Sequence, residues 1–522
     1  MPSKQKTTKK SILKNYLYNM VYQVLILVLP LVTTPYLSRV LGAENIGIYG
    51  YTYAIVTYFI LFGSLGVALY GQREIAYNQN NPENRKKTFF EIVLFRFITI
   101  IIAFIVYAIV FVYYGGIYKS YYAILIIELI AAGFDISWFF QGMEDFKRTV
   151  TRNVLVRICS VTLVFILVKT KEDLGKFMLI YSIADLVGNL SLWFYLPKYF
   201  KGVKIKNFNM IRHIGPILLL FIPQIANQVY KILDTTMIGR IIPDKSETGY
   251  YEQAQKVIRL LLTVVTSLGV VMIPRMANTF INNDKKKIRE YLQMSFRFVF
   301  FISFPIMFGI ITIAPFFVPV FFGTGYDKVI ILIRIISPIL ILMGIGNVLG
   351  TQYLIPTKRQ KEYTISVLCG IVFNFIANYI LIHKYASVGA SIATVLSEFI
   401  VITVQYLFVR EDVSLKELLK ISWKYVLAAV IMFLICLNVG YINTQNNIET
   451  ELVALASKTS FNSKLFINMF NMCVIMLIGV NVYFTTLVLL KDEFVFKFID
   501  KVKAKISFKN NKEEEEEEEG KK

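Results

Sequence analysis

The chain has 522 residues, 56% of them hydrophobic, and 56 Lys and Arg against 35 Asp and Glu give a formal net charge of +21. Its apolar stretches run about twenty residues or longer, the length that crosses a hydrocarbon core of roughly 30 Å, and this excludes a soluble multi-domain protein. The positive charge does not read as a nucleic-acid footprint, because the basic residues crowd the connectors, where they set topology beside anionic headgroups.

In chain order, fourteen spans are predicted near 15–38, 47–70, 89–113, 120–141, 151–168, 177–196, 214–238, 249–272, 293–321, 329–352, 364–382, 386–408, 423–440 and 466–490. The first is too long for a removable leader, contains Pro30 and Pro35, and is expected to stay as helix one. Lys and Arg in the amino terminus, alternate connectors and tail outnumber those of the opposite set by more than three to one, which predicts both termini on the cytoplasmic side. Beyond the last span, Phe494, Phe496, Phe498, Ile499, Val502 and Ile506 alternate with lysines as in a surface-lying segment, and Glu513 to Glu519 form a like-charge block expected to be disordered.

The chain is built twice. Phe95-Arg96-Phe97 after the basic triplet Arg85-Lys86-Lys87 returns as Phe296-Arg297-Phe298 after Lys285-Lys286-Lys287. Gly47-x-Tyr49 with Ser64-Leu65-Gly66-Val67 returns as Gly249-x-Tyr251 with Ser267-Leu268-Gly269-Val270. Gln141 with Lys147-Arg148 is matched by Gln352 with Lys358-Arg359, and Ser182-Ile183-Ala184 by Ser391-Ile392-Ala393. Shared order and near-constant spacing imply six-helix lobes at 1–200 and 201–410, helices thirteen and fourteen at 411–490, and a tail at 491–522, a plan frequent among secondary transporters.

Several chemistries are absent from the sequence. There is no Gly-x-x-x-x-Gly-Lys-Ser/Thr loop to power an ATP-driven pump, and the connectors are too short to house a glycan-transferring catalytic region. Cys159, Cys369, Cys436 and Cys473 lie in apolar spans without ligand spacing, while His213 and His383 stand alone, so neither a metal nor a cofactor is expected. The protein reads as a transporter, not an enzyme.

Ionisable groups at membrane depth cost roughly 2.5 to 3.5 kcal/mol and normally face protein or a wet cavity. Glu252, Lys256 and Arg259 lie along one helical stripe of span eight, with Arg259 about 15 Å from the outer end and close to the midplane. Lys231 and Asp234, three apart on span seven, can form a local pair or meet substrate. Arg96 and Arg297, nearer the span ends, read as snorkelling side chains. Glu128, Asp135, Asp185 and Glu398 are candidates to carry a coupling proton or sodium ion, with pairing to buried cations as the competing role. Tyr53 and Tyr58 on span two, with Asn19 and Gln23 on span one, could line a polar cavity suited to sugar hydroxyls. Pro30 and Pro35, and Pro216 and Pro223, mark matching positions where a helix is expected to break.

The run Pro30 to Tyr49 (PLVTTPYLSRVLGAENIGIY), its continuation Tyr70-Gly71-Gln72-Arg73-Glu74-Ile75-Ala76, the stretch Asp135 to Glu144 (DISWFFQGME) and Asp234-Thr235-Thr236-Met237-Ile238-Gly239 closely resemble Wzx-type polysaccharide flippases. The resemblance covers essentially everything but the acidic tail. It implies the multidrug/oligosaccharidyl-lipid/polysaccharide exporter fold, all-α and integral to the membrane, with about 14 transmembrane helices: two six-helix lobes in a V plus two C-terminal helices. It also implies the cargo, an oligosaccharide joined by diphosphate to a polyprenyl carrier such as undecaprenyl, flipped outward across a bacterial cell membrane by alternating access. Membrane lipids, glycan polymerase and assembly proteins are the implied partners. By the same resemblance, Arg259 and then Lys231 would grip the diphosphate; Lys256, Asp234, Tyr53, Tyr58, Gln23 and Asn19, read from their placement in the spans, are the further candidate substrate contacts. The first lobe departs from the strongly cationic pattern of lipid II flippases, since spans one and two offer polar and tyrosine side chains with Arg39 only at the outer end. A cation-coupled drug exporter of the same fold, or a membrane glycan polymerase, is the alternative reading.

Overall fold

A computed structural model of the chain describes residues 9–200, 202, 208–445, 463–496 and 500, and the regular structure among them is entirely helical. The acidic block Glu513 to Glu519 and the side chains of Asn19 and Gln23 lie outside the described residues. Among the described residues, ten helical units are long and apolar enough to cross a membrane, or eleven if Ser246–Thr266 and Gly269–Ile281, bent by 41°, form one span.

The fourteen predicted spans are not fourteen separate helices. Two units, Val28–Tyr77 and Gln360–Val409, each run to 50 residues, about 75 Å at 1.5 Å per residue and more than twice the hydrocarbon thickness. The first contains most of α1 (Lys9–Ser64), whose helical geometry fails at Gly42 (φ 77°, ψ 169°), a left-handed conformation that suits glycine. The second is interrupted at Ala386 (φ 49°, ψ −128°). The connectors there are so short that the helices almost join. The break expected from Pro30 and Pro35 is absent: helix α1 runs through both.

The chain forms two compact units. The first comprises Met1–Gln253, Phe322–Tyr326 and Asn374–Ala393, and the second Ala254–Phe321, Asp327–Phe373 and Thr394–Lys522. Within the first, α1 is followed by α2 (Val67–Tyr77), α3 (Pro82–Tyr107), α4 (Lys119–Phe134), α5 (Ser137–Gly142), α6 (Phe146–Leu167), α7 (Leu174–Trp193), α8 (Pro197–Phe200) and α9 (Ile214–Ile241). Asn81 caps α3 by accepting the Asn84 amide at 3.1 Å, and Pro82 opens it where no amide is needed. The outer face of α3 leaves Ile101, Ile102, Ile105 and Val106 exposed, a surface made for lipid, not water. Its inner face joins an aromatic core in which Phe89 packs on Trp138, Phe139 and Phe200. Much of the Asp135 to Glu144 signature is therefore core.

The start of α9 is tied to α3 through Glu91, whose carboxylate is fully buried. It accepts from Arg212 Nε at 3.0 Å, the Asn209 amide at 2.6 Å and His213 at 2.9 Å, and His213 in turn meets the Tyr70 hydroxyl at 2.6 Å. Removing the carboxylate leaves the buried His213 and the Asn209 amide without their acceptor while the half-exposed Arg212 can turn to solvent, so Glu91→Ala is expected to cost about 1–3 kcal/mol, read as a lower thermal midpoint of the purified protein. Glu91→Gln, which keeps one acceptor, should lose less.

A second junction in the first unit joins α1 to the start of α10 (Ser246–Thr266). A Cβ on Gly47 would strike the Lys245 carbonyl and one on Gly249 the Ala43 carbonyl, so the two backbones touch at repeat-related positions. Gln253 Nε2 donates to Ser38 Oγ at 2.9 Å, and the Tyr326 hydroxyl donates to the Ser38 carbonyl at 2.9 Å.

The second unit holds most of α10, then α11 (Gly269–Ile281), α12 (Lys285–Phe321), α13 (Asp327–Ile336), α14 (Ile339–Gly346), the flanking parts of α15 (Gln360–Val409), α16 (Leu415–Gln445) and α17 (Ser463–Leu489). Phe301 of α12 packs among Tyr425, Tyr483, Phe484 and Phe494, which binds α12, α16 and α17 together.

Candidate functional site

The ends of α4 and α7 build a charged cavity inside the first unit. Helix α4 stops at Phe134 because Asp135 turns to extended geometry (φ −71°, ψ 109°) and its carboxylate accepts the Ser137 amide at 2.9 Å. Its orphaned terminal carbonyls are taken by α7: Asn189 Nδ2 donates to Ala131 O and Trp193 Nε1 to Phe134 O, both at 2.8 Å. The Asp135 carbonyl is left for Arg96, which donates to it at 2.9 Å and faces the Asp135 carboxylate at 3.8 Å. Arg96 is thus buried at 4% exposure and does not snorkel, because a helix end inside the bundle supplies its acceptors. Its repeat counterpart Arg297 is one-third exposed and pairs with Glu493 at 3.2 Å.

These helices border an open cavity of about 280 Å³ lined by Arg96, Glu128, Asp135, Arg152, Arg157, Asp185 and Asn189. Three of the four coupling candidates therefore share one cavity with three arginines. Glu128 is buried and accepts from Ser182 Oγ at 3.1 Å, and Arg152 donates to Asn189 Oδ1 at 2.9 Å. Arg157 and Asp185 make no direct hydrogen bond or ion pair among the described residues, although Arg157 stands within electrostatic reach of Glu128, Asp185 and Tyr53. A guanidinium and a carboxylate left to face one polar volume can take phosphate oxygens, hydroxyls or water. Arg152 and Arg157 escaped sequence reasoning because they stand near the start of span five; two arginines within one apolar span, with Asp185 in the next, were the available signal. They give the first unit the cationic lining that spans one and two lack.

The other candidates fall elsewhere. Tyr53 stacks near Tyr49 at 5.3 Å, on the side of the charged cavity. Tyr58 receives a hydrogen bond from Thr236 Oγ1 at 3.5 Å and lines a separate apolar pocket with Phe59 and Phe62. Asp234 is buried, taking hydrogen bonds from Tyr251 Oη at 2.5 Å and Asn378 Nδ2 at 2.6 Å, with Asn374 Oδ1 3.0 Å from the same amide. Asn378 Oδ1 is buried there without a donor. Asp234→Leu would remove the acceptor shared by Tyr251 and Asn378 and is expected to lower stability by about 1–3 kcal/mol, whereas Asp234→Asn keeps an acceptor and loses less; thermal unfolding of the two variants checks this. Lys231 and Arg259 are exposed, Lys256 is half-buried, and Glu252 accepts from Thr235 Oγ1. Glu398 is buried in the second unit, within electrostatic reach of Tyr363.

Among the described residues, ten or eleven helices long and apolar enough to cross a membrane define a multi-pass membrane protein. Models of two families match it: that of polysaccharide biosynthesis proteins over residues 12–280 and that of MatE over residues 220–380. The first match takes in more than half of the sequence, and the chain belongs to the polysaccharide biosynthesis protein family. Among curated proteins it is 26% identical over 391 residues to a putative O-antigen transporter of Escherichia coli (strain K12), covering 74% of this chain and 93% of that one. It is 24% identical over 392 residues to a probable low-salt glycan biosynthesis flippase, Agl15, of Haloferax volcanii, covering 74% and 81%. Among solved structures its fold is similar to that of the lipid II flippase MurJ in an inward closed conformation, with a TM-score of 0.68 at 17% identity over 91% of this chain and 99% of that one. It also resembles an inward-facing multidrug resistance MATE family transporter, with a TM-score of 0.56 at 14% identity over 78% and 96%.

Proposed function

We propose that the protein is a flippase that carries polyprenyl-diphosphate-linked oligosaccharide repeat units from the cytoplasmic to the outer leaflet of a bacterial cell membrane, for capsule, exopolysaccharide or other surface-glycan assembly. The observation that carries this reading is the charged cavity walled by apolar helices in a chain of the polysaccharide biosynthesis family. Sugars and phosphate cannot cross hydrocarbon bare, and a hydrated, hydrogen-bonding enclosure removes that cost while the polyprenyl tail stays in lipid. Arg259, exposed on α10, is the cation we assign to the diphosphate oxygens, for which its permanent charge and bidentate geometry suit it; Lys231, Lys256 and, in the charged cavity, Arg157 are each further candidates. Asn19, Gln23 and Tyr53 are our candidates for the sugar hydroxyls, whereas Tyr58 lines an apolar pocket of its own.

Both termini face the cytoplasm, as the basic connectors require. Outward movement of anionic cargo is favoured by an inside-negative potential by about 2.3 kcal/mol per charge per 100 mV, so no ATP is needed. Glu128, Asp135, Asp185 and Glu398 are the groups through which an ion would couple. A glycan polymerase and other assembly proteins would take up the delivered unit.

Deletion of the gene should cause a lipid-linked oligosaccharide to accumulate on the cytoplasmic leaflet, with surface polymer lost and restored by the intact gene. Unchanged surface polymer and no such accumulation would reject the proposal. The match to the MatE model supports a second reading, a cation-coupled drug exporter; that reading instead predicts altered drug efflux in the deletion strain with glycan intermediates unchanged.

A further inference from the structure

A second cavity, about 700 Å³, opens in the second unit where the first turns of α12 and α16 meet the chain leaving α17. Six cationic side chains line it against three acidic ones. The acids are already engaged. Glu417 pairs with Arg289 at 2.8 Å and accepts from Gln293, Glu493 pairs with Arg297, and Asp492 accepts the amides of Phe494 at 3.1 Å and Val495 at 3.2 Å. Lys416 and Lys420, both exposed, make no hydrogen bond or ion pair among the described residues, and Lys424 donates only to the Lys491 carbonyl at 3.0 Å. The unbalanced charge is therefore lysine charge, held in a row because 416, 420 and 424 lie four apart on one helix face.

The neighbouring row of α16 is apolar and uncovered: Leu415 is 53% exposed, Leu419 61%, Trp423 48% and Leu427 41%. An exposed tryptophan among leucines at the start of a spanning helix marks headgroup depth. A cationic cleft beside a lipid-facing apolar stripe at that depth matches a molecule with an anionic head and an acyl chain. A soluble anion would use only the first feature. We propose that this cleft binds the headgroup phosphate of an anionic phospholipid, with Lys416 and Lys420 as its charged ligands and the Leu415, Leu419 and Trp423 face against its acyl chain. The site is separate from the charged cavity of the first unit and does not depend on what that cavity carries.

Trp423 reports on its own site, since Trp138 is fully buried and Trp193 half-buried. The full-length protein is reconstituted in phosphatidylcholine vesicles containing equal fractions of either brominated phosphatidylglycerol or brominated phosphatidylcholine, and the signal lost in W423F isolates Trp423. Brominated phosphatidylglycerol should quench Trp423 in preference, by roughly fivefold per lysine. K416Q/K420Q should abolish the preference and K416R/K420R should retain it. Equal quenching by the two lipids in the unaltered protein, or an undiminished preference in K416Q/K420Q, overturns the proposal. So does loss of the preference when sodium phosphate replaces sodium chloride at equal ionic strength, which would assign the cleft to the free ion.

Discussion

Gly249→Val is expected to cost on the order of 3 kcal/mol or more, because the new side chain meets backbone, which cannot swing aside as a flexible side chain can. Its Cβ would strike the Ala43 carbonyl, and the same clash in mirror form would follow Gly47→Val against the Lys245 carbonyl. Small residues at such crossings let membrane helices gain packing energy that lipid does not supply. Once either valine has pushed α1 away from α10, the other should add little, so the double variant should lose distinctly less than the sum of the single losses. Gly309, with nothing within 4 Å of its Cβ position, is the control: Gly309→Ala should be neutral or gain up to about 1 kcal/mol from helix propensity. Thermal unfolding of the purified variants checks all four values.

The largest functional effect is expected at the arginines. Arg259→Ala and Arg157→Ala, at normal membrane levels, should each reduce glycan export by roughly tenfold to a hundredfold, the worth of a charge-assisted bond of about 1.5–3 kcal/mol. Among the described residues Arg157 makes no direct hydrogen bond or ion pair, so its removal should leave stability close to that of the unaltered protein. Arg96→Ala should behave differently. Its guanidinium secures the end of α4 through the Asp135 carbonyl, so the variant should lose protein level first and, corrected for level, export less severely than Arg259→Ala. Quantifying surface polymer against membrane protein separates the two. Equal level-corrected losses in Arg96→Ala and Arg259→Ala would remove the ranking.

Much of the fold could be read from the sequence because membrane depth imposes a length on each apolar run, and because duplicated motifs repeat in order. The internal repeat pointed to Gly47 and Gly249 as equivalent positions, but nothing in the sequence showed that they touch, since contact depends on how two separate helices cross. The predicted breaks at Pro30 and Pro35 went the other way: a proline bends a helix without ending it, while Gly42, in a left-handed conformation, ends it. Glu128, Asp135 and Asp185 were visible as intramembrane acids, yet their meeting with Arg152 and Arg157 required the tertiary fold, because three helices and the turn after α4 supply them. Arg96 illustrates the same limit. Its position near a span end suggests snorkelling, and only the geometry of the Asp135 turn shows why it is buried.

The most direct test is translocation by the purified protein. Proteoliposomes containing a fluorescent polyprenyl-diphosphate-linked oligosaccharide, with a membrane potential negative on the cytoplasmic side, should move the labelled headgroup to the opposite leaflet, where an added glycan-modifying reagent reaches it. The account predicts time-dependent exposure that is lost in Arg259→Ala and strongly reduced in Arg157→Ala. Exposure no faster than in protein-free vesicles, or unchanged in both variants, would contradict it.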